Sequence, residues 1–215
     1  MYKKVLDVKN NIYSHNLFDS DKMLKDISDY DETIHEFTGN NFFLSNFYYC
    51  KYPLNFLSNG IEYKSNYAEC IYQAMKIDIE YKFDMSIGDR EIEIKKVIKT
   101  ILNSKPSEAK QKLKTLLNDN HDFNNFRIKK NWDNIEFSIM MNILRIKFSD
   151  DNVFLKEKLI ATGTKELINA NNWKDDYWGV YNGNGKNMLG KILMKIRDDL
   201  KERKEYLSKA YVSTD

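Results

Sequence analysis

The sequence is poor in the residues on which several common kinds of catalytic or metal site depend. Its 215 residues include only two cysteines, Cys50 and Cys70, with no Cys-x-x-Cys pair, so we expect neither a disulfide framework nor a zinc site. The three histidines, His15, His35 and His121, fall in predicted arm or loop segments. A Ser-His-Asp or Cys-His centre needs a histidine beside its nucleophile and is therefore not indicated.

Signals for membrane insertion and secretion are also lacking. No run approaches the roughly 18 apolar residues that span a bilayer. The first residues, MYKKVLDVKNN, carry lysines but no apolar core of about 7–15 residues and no small-residue cleavage site. We therefore expect a cytoplasmic protein without a membrane partner.

The glycine motifs of nucleotide-binding folds are missing as well. Gly183, Gly185 and Gly190 do not follow the strand of a predicted βαβ unit, and no Walker-type loop occurs. We expect neither a cofactor nor a structural metal.

Charge is nearly balanced in the sequence, at a net +2. Residues 1–40 hold five lysines against eight acids, a net −3, which leaves +5 for the remainder. This mild basic excess permits a phosphate-bearing ligand or a nucleic acid but does not require one, because domains that coat nucleic acid are usually far more basic.

Hydrophobic periodicity predicts one mainly α-helical domain with a small β-sheet or hairpin. We expect this domain at 37–203, after an N-terminal extension at 1–36 that forms a helical or partly ordered arm, and before a frayed tail at 204–215. Extended segments are predicted within 37–56 and at 60–64, and a loop at 118–131. Helices are predicted at 68–81, 91–102, 104–117, 135–148, 153–160 and 187 to about 206.

Three polar residues share one face of the helix predicted at 68–81. Glu69, Gln73 and Lys76 stand at i, i+4 and i+7, so their side chains project together. One interpretation is an exposed face with ordinary polar neighbours. The other is a cleft in which Lys76 keeps Glu69 ionised as a base or nucleophile, or grips a ligand phosphate. The spacing by itself leaves both interpretations open.

The stretch 173–190 concentrates acids, large aromatic rings and glycines. Asp175 and Asp176 come directly before Tyr177 and Trp178. An acid beside a tryptophan face would combine acid–base chemistry with stacking on a flat heterocycle. An aromatic core anchor with solvated acids is the alternative.

A phosphate site is predicted at the end of this stretch. Gly183 and Gly185 precede a predicted helix whose N-terminal amides and dipole favour an anion, and Lys186 adds a positive charge. Amides around Gly185–Met188 would then hold the phosphate. An ordinary Gly-x-Gly turn is the alternative. Carboxylates, aromatic rings and a phosphate site together favour hydrolysis of an N-glycoside of a ribose phosphate, whose transition state resembles an oxocarbenium ion.

Seven short motifs stand in one order along the chain. They are FLSNFY (43–48), AECIYQAMK (68–76), KNWD (130–133), IMMNILRIKF (139–148), LIATG (159–163), DDYWG (175–179) and GKNMLGKILMKIRDDL (185–200). Together they resemble the NADAR family, also called YbiA-like proteins. The resemblance implies a mainly α-helical fold and N-glycosidase activity on ribose-phosphate or ADP-ribose compounds. These include early riboflavin-pathway intermediates and, in some members, ADP-ribosylated guanine in DNA.

The same resemblance assigns roles to residues of this sequence. The active-site glutamate of the family falls on Glu69, and its aspartate three positions before the second motif tryptophan falls on Asp175. The two motif tryptophans fall on Trp132 and Trp178. The further residues expected to line the pocket by this match are Ser45, Asn46, Lys76, Lys186 and Asn187, and Gln73 and Gly185 in the same motifs are expected to bind substrate too. Cys70 stands where the family commonly has histidine.

These expectations combine into one hypothesis, a metal-free N-glycosidase with its site in a cleft between two helix ends. One of Glu69 and Asp175 would activate water and the other would stabilise positive charge on the ribose, with Glu69 favoured as the base. The expected substrate is ADP-ribosylated guanine in DNA, because the arm at 1–36 and the lysine-rich helices would frame a long substrate. The alternatives are a riboflavin-pathway intermediate as substrate, a module that binds ADP-ribose without cleaving it, and a protein that only binds nucleic acid as a scaffold.

Overall fold

A computed structural model describes residues 32–80, 87–118 and 125–212 of the chain. Most of the arm predicted at 1–36 lies outside these described residues. Within them the protein is mainly helical with short two-stranded sheets, which confirms the predicted fold class. In chain order the elements are β1 (Thr33–Ile34), a 3-10 helix (Gly39–Leu44), β2 (Leu54–Ser58), β3 (Ile61–Ser65), α1 (Ala68–Met75), β4 (Ile77–Glu80), α2 (Ile87–Leu102), α3 (Pro106–Asn118), β5 (Asn125–Ile128), α4 (Trp132–Lys147), a 3-10 turn (Asp150–Asn152), α5 (Val153–Ile160), β6 (Glu166–Leu167), β7 (Ala170–Asn171), β8 (Val180–Tyr181) and α6 (Met188–Val212).

The described residues of the domain group into two compact units. The first unit contains Asn46–Ile146, and the second combines residues 32–45 with residues 147–212. The first unit therefore holds β2 to β5, α1 to α3 and nearly all of α4, and the second holds β1, β6 to β8, α5 and α6.

The hairpin of β2 and β3 turns at Asn59-Gly60. Both residues have positive φ, 49° and 75°, which is typical of the type I′ turns that two-residue hairpins prefer. The antiparallel register pairs all five residues of each strand. The extended segment predicted at 60–64 is thereby confirmed. Within the region 37–56, predicted as extended, Gly39–Leu44 instead forms a 3-10 helix.

Helix α1 is shorter than the helix predicted at 68–81. It ends at Met75, and the chain turns at Lys76 into β4, which pairs antiparallel with β5. Lys129, directly after β5, closes the end of α1. Its backbone N–H donates to the Lys76 carbonyl at 2.9 Å, and its ammonium donates to the Met75 carbonyl. A strand far along the sequence thus ends the helix, and no local pattern shows it.

The other helices of the first unit agree with the predictions apart from their ends. Helices α2 and α4 each begin about one turn earlier than expected, and α3 begins with Pro106, a favoured first helical residue. Strand β5 lies in the region predicted as a loop. Helix α1 is central: all eight of its residues are buried, and it packs against α2 and α3.

In the second unit, β1 pairs with β6 and β7 with β8, both in parallel, beside α5 and α6. Helix α6 continues to Val212, so the prediction of a frayed tail from 204 is wrong over the described residues. Buried Arg197 of α6 donates from Nη1 to the Thr162 hydroxyl at 3.1 Å and to the Lys165 carbonyl at 2.6 Å, which fastens the turn after α5. None of the helices in the described ranges is long and apolar enough to cross a membrane.

Candidate active site

The Glu69–Gln73 pair lies inside the first unit. Glu69 is 9% exposed and Gln73 3%, so the interpretation of an exposed polar face is wrong for these two residues. Gln73 donates from Nε2 to Glu69 Oε1 at 2.7 Å, as expected for side chains that project together. A buried carboxylate needs such partners, and this amide also fixes the orientation of the carboxylate.

Asn46 lies at the N-terminal end of α1 and presents a buried acceptor. Its main-chain carbonyl accepts the Glu69 N–H at 3.1 Å, and its side chain is 9% exposed. Nδ2 meets the thioether sulfur of Met140 at 3.5 Å, which is a weak acceptor, and Oδ1 has no hydrogen-bond partner among the described residues. A buried oxygen left in this state costs about 1–3 kcal/mol. A ligand hydroxyl or N–H that donates to Asn46 Oδ1 would remove that cost.

A cluster of aromatic and charged side chains lies at the other end of α1. Tyr72 donates from its hydroxyl to Glu136 Oε2 at 2.8 Å, and Trp132 donates from Nε1 to the same oxygen at 3.2 Å. The two rings meet edge to face with centroids 5.3 Å apart. The Lys76 ammonium lies 4.5 Å from the Tyr72 centroid and 5.6 Å from that of Trp132. Because Trp132 is itself buried, its ring acts mainly as a support for this cation.

Sequence reasoning missed Tyr72 and Glu136. A signal for Glu136 exists: Trp132, Glu136 and Met140 stand at i, i+4 and i+8, on one face of α4. Tyr72 stands four residues before Lys76 and so shares its face of α1. What the sequence does not show is that these two helix faces meet.

Cys70 is fully buried directly after Glu69. Its thiol donates to the Ser104 carbonyl at 3.3 Å. Burial raises the pKa of the Cys70 thiol to about 11, and the charge of Glu69 acts in the same direction. The thiol therefore stays protonated at neutral pH and is not a nucleophile there.

In the second unit, Asp175 and Trp178 are joined by a turn. Asp175 Oδ1 accepts the Trp178 N–H at 2.9 Å. Asn171 fixes this turn, accepting the Asp175 N–H at 3.0 Å and donating to the Asp175 carbonyl at 2.7 Å. The Tyr177 ring packs edge-on against the half-buried Trp178 ring, with centroids 4.9 Å apart. One oxygen of Asp175 thus has a structural role beside a partly exposed tryptophan.

The phosphate cradle predicted from amides around Gly185–Met188 is wrong in that form. The backbone donors that it would use already bind carbonyls of the preceding loop: Lys186 N–H donates to Asp176 O at 2.6 Å, Asn187 N–H to Gly179 O at 3.2 Å and Met188 N–H to Tyr177 O at 3.0 Å. Any anion binding at this place falls to the side chain of Lys186. That side chain is exposed, with its ammonium 5.4 Å from the Tyr177 ring centroid.

Asn187 and Gly185 were both predicted to bind substrate. In the structure, both have structural roles. Asn187 is buried; its Oδ1 accepts the Asn169 N–H at 3.0 Å and its Nδ2 donates to the Leu167 carbonyl at 2.9 Å, so both ends of the amide are engaged. Gly185 has φ +147°, and a Cβ there would lie 2.3 Å from the Gly179 carbonyl oxygen. This glycine therefore permits a close backbone approach.

Ser45 closes the 3-10 helix of the second unit. Its carbonyl accepts a hydrogen bond from the buried ammonium of Lys147 at 2.6 Å. The predicted site residues thus fall into two groups, one in each unit. The first-unit group is Asn46, Glu69, Gln73, Lys76 and Trp132, and the second-unit group is Ser45, Asp175, Trp178, Gly185, Lys186 and Asn187.

Within the described ranges, no three His, Cys, Asp or Glu side chains are placed to hold a metal ion.

Comparison with known families identifies the chain. The model of the NADAR domain matches residues 34–201, which include both groups of site residues. The chain belongs to the NADAR family. The resemblance drawn from the seven motifs is confirmed.

Several relatives of this NADAR protein carry names that state a function. A riboflavin biosynthesis protein of Vibrio vulnificus is 30% identical over 168 residues, which are 78% of this chain and 38% of the Vibrio protein. The N-glycosidase YbiA of Escherichia coli is 36% identical over 74 residues, 34% of this chain and 45% of YbiA. An N-glycosidase of Nostoc punctiforme is 26% identical over 151 residues, 68% of this chain and 83% of that protein.

The matched regions span less than half the length of the Vibrio and Escherichia proteins. No solved structure matches this NADAR chain.

Proposed function

We propose that the chain is an N-glycosidase that hydrolyses the bond between a nitrogen base and the ribose of an ADP-ribose or ribose-phosphate compound. The observation that carries this proposal is the buried pair of Glu69 and Gln73 beside the unsatisfied Asn46 Oδ1. Buried polar groups that the fold itself does not satisfy mark candidate ligand sites. Relatives named N-glycosidases support this reaction class.

Glu69 is proposed as the general base. Its carboxylate takes a proton from water as the water oxygen bonds to C1′ of the ribose, while the C1′–N bond breaks and the departing base takes a proton from solvent. Gln73 holds the carboxylate through Oε1. Asn46 Oδ1 accepts a hydrogen bond from a ribose hydroxyl. Lys76 supplies a fixed positive charge, supported by the rings of Tyr72 and Trp132.

The second unit carries its own candidate substrate-binding residues. Trp178 offers a partly exposed ring for stacking on a base, and Lys186 an exposed ammonium for a phosphate. Asp175, with one oxygen held by the Trp178 N–H, is proposed as the acid of this second-unit group.

Among substrates, we favour ADP-ribosylated guanine in DNA. The exposed lysines of α2 support a substrate longer than a single nucleotide, because such cations interact with a phosphodiester chain. A riboflavin-pathway ribosylamino-pyrimidine phosphate is the second candidate. It is favoured by the name of the Vibrio relative, whose match covers most of this chain.

The test compares Glu69→Gln with wild-type protein on both substrate classes, with released base quantified by mass spectrometry. Glu69→Gln keeps the size of the side chain and the partner Gln73 but cannot accept the proton, so we expect base release to fall by about 10³-fold while substrate binding persists. Glu108→Gln, an exposed acid on α3, is the matched control and should keep wild-type activity.

The substrate that wild-type protein cleaves faster decides between the two candidates. Binding of ADP-ribose by wild-type protein in calorimetry, with no base released from either class, would instead identify a non-catalytic ADP-ribose-binding module. Full turnover by a correctly folded Glu69→Gln protein would refute Glu69 as the base.

A further inference from the structure

A concave surface lies in the first unit, and Glu69 is not among the residues that line it. It is a groove of about 650 Å³ between the β2–β3 hairpin, the connection from β3 to α1, and the last turns of α2. Ile98 and Leu102 give it an apolar floor, and Lys64, Lys95, Lys99 and Tyr67 line it. This size is in the range of cavities that hold a ligand.

Positive charge predominates in the groove. Lys64, Lys95 and Lys99 line it together with a single acid, Glu62. Lys95 also lies 3.2 Å from Glu91, but both side chains are largely exposed, and such surface pairs are weak and easily exchanged. The lining thus favours an anionic ligand.

Exposed aromatic rings continue the groove beyond its rim. Tyr67 lines the groove, and the Tyr49 ring meets it edge-on with centroids 5.6 Å apart. Tyr49 is 56% exposed and Tyr52 54%, and the Lys51 ammonium lies 5.6 Å from the Tyr52 centroid. Tyr52 directly precedes Pro53, which lines the groove, so this exposed ring and the Tyr49 ring both lie close to it.

This surface is held in place by the fold. The Cys50 N–H donates to the Asn66 carbonyl at 2.8 Å, and Asn66 Nδ2 donates to the Cys50 carbonyl at 2.6 Å. The Ser65 hydroxyl donates to the Leu102 carbonyl at 2.9 Å, which ties β3 to the end of α2. The segment that carries Tyr49 is thus fixed against the groove, and a ligand would meet a preformed site.

We propose that this groove binds a segment of single-stranded nucleic acid. Its lysines would contact phosphates, and Tyr49, Tyr52 and Tyr67 would stack on unpaired bases, which is the combination that binds single strands without sequence preference. Bases in a duplex are already stacked and would leave these rings without partners. The proposal deepens the proposed function, and rests on it in one respect: the strand would be the one that carries the modified base.

The position of the groove in the chain agrees with that role. Tyr67 precedes the first residue of α1, and Glu69 is the second residue of the same helix. Ser104 lines the groove and accepts the hydrogen bond of the Cys70 thiol. A strand held there would lie against the helix end that carries Glu69.

The test measures binding of a fluorescein-labelled single-stranded oligonucleotide by anisotropy over a range of salt concentrations. The double variant Lys95→Ala with Lys99→Ala removes two groove lysines one helical turn apart. The control, Lys110→Ala with Lys114→Ala, removes two exposed lysines at the same spacing on α3. We expect the groove variant to bind at least tenfold more weakly, with the slope of log K against log salt reduced by about 1.4, and the control to bind like wild type.

Tyr49→Ala gives an independent measurement of stacking. We expect about tenfold weaker binding with an unchanged salt slope, because the ring carries no charge. Equal loss in the groove and control variants, tighter binding of duplex than of single strand, or an unchanged affinity in the groove variant would each overturn the proposal. So would saturable binding of free ADP-ribose that the groove variant abolishes, since the groove would then hold a small anionic ligand.

Cleavage assays separate this proposal from the proposed function. The groove variant should release base from a modified mononucleotide at the wild-type rate but show a raised KM on a modified oligonucleotide. Glu69→Gln should do the reverse, retaining strand binding while losing release from both. An unchanged KM in the groove variant, together with the expected loss in Glu69→Gln, would refute the groove alone.

Discussion

Two buried amides next to the proposed base, Asn46 and Gln73, differ in what their hydrogen bonds do. Gln73 donates to the Glu69 carboxylate, so its amide serves both the fold and the site. The Asn46 side chain has only a thioether contact for its donor, and its Oδ1 has no partner among the described residues. Replacing Asn46 should therefore lower activity without lowering stability, whereas replacing Gln73 should lower both.

Replacing these amides with leucine tests that distinction. Asn46→Leu removes an unsatisfied buried oxygen, and the main-chain bond to the Glu69 N–H survives, so we expect the free energy of unfolding to be unchanged or raised by up to about 1 kcal/mol. Gln73→Leu removes the amide that donates to Glu69 Oε1, so we expect the free energy of unfolding to fall by about 1–3 kcal/mol. Denaturant unfolding gives both values, and base release should fall in both variants. A clear loss of stability in Asn46→Leu would contradict a ligand-facing Oδ1.

Spacing along a single helix is enough to predict the Glu69–Gln73 contact, because four residues separate neighbours on one helix face. It is not enough to predict Glu136, whose role depends on α4 facing α1 so that one carboxylate oxygen accepts from both Tyr72 and Trp132. Spacing also does not show that both ends of the Asn187 amide are hydrogen-bonded, to the Asn169 N–H and the Leu167 carbonyl.

The loop before α6 also shows that a local sequence pattern does not reveal which contacts a segment makes in the fold. Its glycines suggested a phosphate-binding turn, but a Cβ at Gly185 would meet the Gly179 carbonyl, so the glycine is there for close packing. The C-terminal end of α1 and the existence of β4 and β5 were missed for a related reason: strand pairing between distant segments outweighs helical periodicity. The Asn59-Gly60 turn and α5 depend on residues that are close together in the sequence. The sequence therefore predicts the segment of β3 and helix α5 correctly.

Two alanine substitutions in this loop distinguish packing from conformational preference. At Gly185, φ is +147° and the new Cβ would collide with backbone, so Gly185→Ala should destabilise the protein by about 3 kcal/mol or more. At Gly183, φ is +76° with nothing within 4 Å of the new Cβ, so Gly183→Ala should cost only about 1 kcal/mol. Thermal unfolding of the pair measures the difference. Equal effects would mean that the close approach to Gly179 does not matter.

For the molecule as a whole, stability should depend on pH in the alkaline range. Burial raises the pKa of the Cys70 thiol from 9.0 to about 11 and the pKa of the Tyr63 hydroxyl from 10.0 to about 12. Both groups are neutral when protonated, and folding favours that form. Their contribution is complete below the unfolded pKa values and is lost as pH rises through the folded values.

We therefore expect the free energy of unfolding to decrease between pH 9 and 12, by roughly 2–3 kcal/mol for each group over its own range. Denaturant titrations at a series of pH values measure the decrease. Cys70→Ala should remove the part between pH 9 and 11, and Tyr63→Phe the part between pH 10 and 12. A free energy that stays constant from pH 8 to pH 11 would show that neither group is shielded from solvent.

The hydrogen bonds that fasten the loop at 176–179 to α6 also bear on how fast a substrate can bind. Opening this loop would break the four bonds donated by the amides of residues 186 to 189 to the carbonyls of Asp176, Gly179, Tyr177 and Trp178. Lids that open and close during catalysis have few such bonds. Trp178 is thus presented in its final position before any substrate arrives, and association should proceed in a single phase whose rate rises in proportion to substrate concentration.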